Sequence, residues 1–74
     1  MAITLLELKR NKRGKILEIK GGSSLVKKLE ALGIRVGVKV TKINGTSSPV
    51  VIKVVRTQLA IGKGMASKII VEEQ

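Results

Sequence analysis

The sequence predicts a mainly β fold: a small barrel of about five short strands, with one short α-helix and a helical turn before the last strand. Three observations lead there. Apolar residues make up 43% of the chain, yet it holds no Phe, Trp or Tyr. The core must therefore come from Ile, Val and Leu, and β-branched side chains favour strands. The apolar runs are short and are broken by Gly, Asn, Ser and Pro at close intervals, as in small barrels. Only one segment carries a clear helical period, so the strand–helix alternation of a parallel sheet is missing. At 74 residues the chain has room for one domain, spanning residues 1–74. A domain of that size buries only about 60% of the surface of its unfolded chain. Closure of the barrel would hide the edges of so apolar a sheet.

The elements follow in order. Ile3 to Leu8, ITLLEL, reads as a strand or as a single turn packed under the barrel, and KRNKR, Lys9 to Arg13, as a charged turn. GKILEIK from Gly14 is strand-like, with imperfect alternation around Ile16 and Ile19, and ends at Gly21 and Gly22. Ser23 or Ser24 can cap the helix SSLVKKLEAL. Leu25, Leu29 and Leu32 fall on one face of it, and Gly33 supplies the left-handed residue that closes many helices. VKVTKI, Val38 to Ile43, alternates strongly. The polar loop NGTSS, opened by the Asn44–Gly45 turn dipeptide, leads through Pro49 to the most apolar strand, Val50 to Val55. A short turn at Arg56 and Thr57 precedes a strand over Gln58 to Ile61. Gly62–Lys63–Gly64 breaks it, Met65 to Lys68 makes a helical turn, and Ile69 to Val71 closes the sheet, with a polar tail that frays.

The residue inventory argues against chemistry. There is no Cys and no His, which removes disulfides and the usual ligands of zinc and copper. A nucleophile needs a base within reach, and Ser23, Ser24, Ser47, Ser48 and Ser67 all fall in caps and loops. The acids are Glu7, Glu18, Glu30, Glu72 and Glu73. They are scattered, apart from a terminal pair that would face opposite sides of a strand. GKGMAS, Gly62 to Ser67, lacks the spacing of a phosphate-binding loop. The expectation is a protein that is not an enzyme and carries no cofactor and no metal site. The start lacks a basic leader followed by an apolar run, and no apolar stretch nears the roughly 18 residues of a membrane span. A cytoplasmic protein without membrane insertion is expected.

The net charge of +10 attracts acidic partners. On the helix, Val26 and Leu29 form a candidate apolar spot rimmed by Lys27 and Lys28, with Arg35 beyond the closing turn. An apolar anchor in a basic rim suits an acidic partner surface, where charge speeds encounter and the anchor slows release.

The order of motifs resembles the FeoA family over nearly the whole chain. The matching stretches are TLLELK, then GKILEIKGGSSLVKKLEALGI, then VGVKVTKI, Pro49 ahead of a strand, and QLAIGKGMASKIIV. The most specific piece is Leu29, Leu32, Gly33 and Ile34, with Gly37 and Val40 beyond. The resemblance implies an SH3-like barrel and a cytoplasmic accessory role in ferrous iron transport. It also implies docking onto the cytosolic GTPase part of a FeoB-type membrane transporter. Related domains stand at the C-terminus of metal-dependent repressors, where they make protein contacts. The chain departs from the family pattern in the loop NGTSSP and at Val55–Arg56–Thr57, which lacks the glycine often found in that turn. The alternative from charge alone is a basic SH3-like barrel that binds RNA or DNA through phosphates. Against it stands the lack of aromatic side chains on which bases stack. Association between copies of the chain is left open.

Overall fold

The computed structural model describes residues 1–45 and 48–74; Thr46 and Ser47 of the NGTSS loop lie outside the described residues. Among the described residues six strands and two short helices follow one another: β1 (Ala2–Thr4), β2 (Arg13–Ile19), α1 (Ser23–Ala31), β3 (Lys39–Lys42), β4 (Val50–Val54), β5 (Thr57–Ile61), α2 (Lys63–Ala66) and β6 (Ile69–Glu73). The strands form one sheet in the order β1-β6-β2-β3-β4-β5, with every neighbouring pair antiparallel. Among the described residues no ladder joins β1 to β5, so these two strands are the margins of the sheet. β1, three residues long, offers little free edge.

The opening segment is both strand and turn. After β1, Leu5 donates from its amide to the Ile69 carbonyl at 2.8 Å, and the chain then coils so that Leu5 and Leu8 enter the core. A reciprocal cap holds the coil. The Thr4 amide donates to Glu7 Oε1 at 2.8 Å, and the Glu7 amide donates to Thr4 Oγ1 at 3.2 Å. The Thr4 amide and, at 3.1 Å, the Thr4 hydroxyl both donate to the Glu7 carboxylate and favour its charged form, so the Glu7 pKa lies below the ordinary value.

The uneven alternation in β2 is a bulge. Pairing with β6 shifts register between Ile16 and Glu18. Leu17 is the extra residue and points outward, so Ile16 is enclosed and Ile19 still packs against the core three positions later. In β3 and β4 the period of two is regular: Val40 and Lys42 on one strand, and Val50, Ile52 and Val54 on the other, face inward. Among the described residues thirteen buried aliphatic ones form a single cluster, to which every strand except the short β1 contributes. The tail expected to fray is paired instead. Glu72 lies opposite both Ala2 and Lys15, and Glu73 lies opposite Gly14.

Candidate docking surface

Helix α1 carries the residues singled out from the sequence, and its ends fix how they point. Gly22, not a serine, is the N-cap, and no side chain caps the helix there. At the other end the Gly33 amide donates to the Glu30 carbonyl and the Ile34 amide to the Leu29 carbonyl, each at 3.0 Å. Gly33 has φ +90°. This is the paired 5→2 and 6→1 closure that turns the chain and brings an apolar residue back under the helix.

That closure corrects the expected phase of the helix. Leu29, expected as part of an exposed spot, is 0% exposed. Leu32, on the same face as Leu25 and Leu29 in the helical pattern, is 42% exposed. The reason is geometric. Leu32 already has ψ near 0° as the C-cap, so it leaves the helical stripe. Ile34, fully buried, fills the place that a continuing helix would have given it. Val26 is half-buried, and Lys27, Lys28 and Arg35 are exposed, so the cationic rim stands without Leu29 at its centre.

A different apolar set borders this rim. A methyl group built on Gly33 would lie 3.8 Å from Val54 Cγ1, so the end of α1 rests against the end of β4. Beyond Val54 the chain turns through Val55, which is 78% exposed. On the other side, Gly37 donates to the Ile16 carbonyl at 2.8 Å, which sets Val36, 63% exposed, near the outward-facing Leu17 of the bulge. Leu32, Val36, Val55 and Leu17 thus border the α1–β3 connection, with Arg35 and Lys28 beside them. The signal for this in the sequence was the glycine pair Gly33 and Gly37, which takes the chain out of helical phase. Val36 and Val55 carry no periodic mark of their own.

One polar residue in the core also escaped the sequence reading. Lys42 continues the inward face of β3 and is 1% exposed. Its ammonium donates to the Leu6 carbonyl at 2.7 Å. Burial disfavours the charge and pulls its pKa below the ordinary lysine value. The backbone of the same residue holds the basic turn: the Lys42 amide donates to Lys12 at 3.0 Å, and the Asn11 amide donates to Lys42 at 2.7 Å. Among the described residues no group of three or more His, Cys, Asp or Glu comes together as metal ligands. No helix in them is long and apolar enough to cross a membrane.

Comparison with known proteins gives a consistent set of likenesses. Residues 3–73 match the family model for the FeoA domain. A protein of Methanocaldococcus jannaschii named Fe(2+) transport protein A is 34% identical over 58 residues, which are 78% of this chain and 71% of that one. The crystal structure of an iron uptake regulatory protein, FeoA, superposes with TM-score 0.92 at 28% identity, covering 100% of this chain and 99% of that one. The zinc complex of Stenotrophomonas maltophilia FeoA, described as a prokaryotic SH3 domain protein, superposes with TM-score 0.82 over 95% of this chain and 89% of that one. At 21% identity it speaks for the SH3-like fold alone.

Proposed function

The chain belongs to the FeoA domain family, and from that premise we propose that it is a non-enzymatic, cytoplasmic accessory protein of ferrous iron transport. It docks onto the cytosolic GTPase part of a FeoB-type membrane transporter. The observation that carries this reading is a surface suited to grip without chemistry. Exposed Leu32, Val36 and Val55 border one connection, with Lys28 and Arg35 at the rim. Apolar contacts at the centre of an interface slow release, and rim charges guide an acidic partner in. The partner-binding residues read from the helix are then Val26, Lys27, Lys28 and Arg35. Leu29 acts from below, by holding the helix in place.

The test is a binding titration of the chain against the soluble GTPase domain of the transporter at near-physiological salt. Binding is expected, and Leu32→Glu with Val36→Glu should weaken it at least tenfold (about 1.4 kcal/mol) while the protein stays folded. Leu29→Glu should unfold the protein instead, because it places a charge in a filled core. A wild-type chain that ignores the domain under these conditions, or a Leu32/Val36 variant that binds as well as wild type, overturns the proposal.

A further inference from the structure

Apart from Leu17, the outer face of the sheet lies outside the docking surface. Its outward positions include Arg13 and Lys15 on β2, with Leu17 and Glu18 beyond them, Lys39 and Thr41 on β3, and Val51 and Lys53 on β4. The register places these cations side by side. Lys15 stands directly opposite Lys39, Arg13 opposite Thr41, and Thr41 opposite Lys53. Like charges directly opposed across a ladder are destabilising, and here the pair sits in the middle of the sheet. Two carboxylates border the row: Glu72, across from Lys15 on the other side, and Glu18, past the bulge on β2. Among the described residues none of these four cations is tied up in a side-chain hydrogen bond or an ion pair.

The basic turn extends the same charge. Asn11 adopts φ 65° at its apex, and the turn is pinned to the Lys42 backbone. Beside it an open cleft of ≈ 350 Å³ is lined by Asn11, Lys12, Arg13 and Gln74. The result is a broad cationic face with a recess at one end that could take a phosphate-sized group.

We infer that this face rests on an anionic lipid surface, with headgroup phosphates as its ligand. Clusters of four to eight Lys or Arg suffice for such attraction, which needs no pocket and no sequence reading. A nucleic acid fits less well. The chain has no aromatic side chain to stack on bases, and the face spans three adjacent strands in the middle of a sheet, neither the helix nor the two-stranded ribbon that fits a major groove. The choice of lipid over another polyanion rests on the reading of the chain as a partner of a membrane transporter. The charge and register of the face do not depend on it.

Sedimentation with protein-free vesicles tests the inference without involving any transporter. Vesicles of one part phosphatidylglycerol to two parts phosphatidylcholine should bind the chain, pure phosphatidylcholine should not, and rising salt should release it. Lys15→Gln with Lys39→Gln and Lys53→Gln should lower partitioning by roughly two orders of magnitude. A control with the same charge change, Lys20→Gln with Lys63→Gln and Lys68→Gln, lies just past the end of β2, at the start of α2 and in the turn before β6, and should lose far less. Removing the Lys15–Lys39 repulsion should leave the melting temperature of the first variant equal to or above wild type, so loss of binding is not unfolding. Equal loss in both variants, or no preference for anionic vesicles, overturns it, and so does binding to duplex DNA or polyglutamate that is tighter per charge than binding to the vesicles and is lost in the first variant. Titration with the soluble GTPase domain is a separate measurement, so failure on vesicles and failure of docking are told apart.

Discussion

Leu29 and Leu32 lie three residues apart, yet one is enclosed and the other meets solvent. Replacing Leu29 by Ala would cost about 2–5 kcal/mol through the cavity left behind. The same change at Leu32 removes surface area and little else. Lys42 is the more unusual residue. Its folded pKa lies below its unfolded value, so between the two the unfolded chain binds more protons, and stability rises with pH. Lys42→Met should cost about 1–3 kcal/mol at pH 7, since it leaves the Leu6 carbonyl without its donor. Thermal unfolding between pH 7 and 10 should show wild type gaining on the variant. Parallel curves would mean that the ammonium is better hydrated than its burial indicates. None of this could be read from VKVTKI beyond alternation. The pattern does place Lys42 on the inward face with Val40, but a lysine at a strand end is ordinarily assumed to reach solvent.

The elements divide by how local their causes are. Helix α1 was legible because its whole specification lies within twelve residues, down to the glycine that ends it. Its outward face was not, because the turn at Gly33 resets the phase of everything after it. The β2 bulge and the pairing of Glu72 and Glu73 depend on β6 and β1, which no local pattern announces. Turn chemistry separates two further residues. Gly33 at φ +90° suits its turn, whereas Val55 at φ 57° is β-branched and opens a two-residue hairpin between Val54 and Thr57. That position favours glycine, and left-handed backbone costs other residues about 1–3 kcal/mol. Gly33→Val should therefore destabilise by about that amount, and Val55→Gly should stabilise by about 1 kcal/mol. For a domain this size the latter is a rise of roughly 4–8 °C in melting temperature. Calorimetry on both variants checks the pair. A fall on Val55→Gly would mean that the exposed valine makes contacts worth more than its strain.

At the scale of the molecule, composition decided the fold class: an aliphatic core without rings, cut into short strands, has few ways to close on itself. What composition left open was the order of the sheet, because β6 inserts between β1 and β2 and so joins the first and last segments of the chain. The Glu73 amide reaches the Met1 carbonyl at 3.3 Å. A short glycine–serine bridge from Gln74 to Met1 would thus make β6 and β1 an ordinary hairpin. The ring could be reopened between Val55 and Arg56, which frees the left-handed valine from its turn. Such a circular permutant is expected to fold with the far-ultraviolet dichroism and amide chemical-shift dispersion of the parent, whereas a disordered product would show that β4 and β5 must stay covalently joined. The sequence in which these strands leave the ribosome is then separable from the sequence in which they find one another.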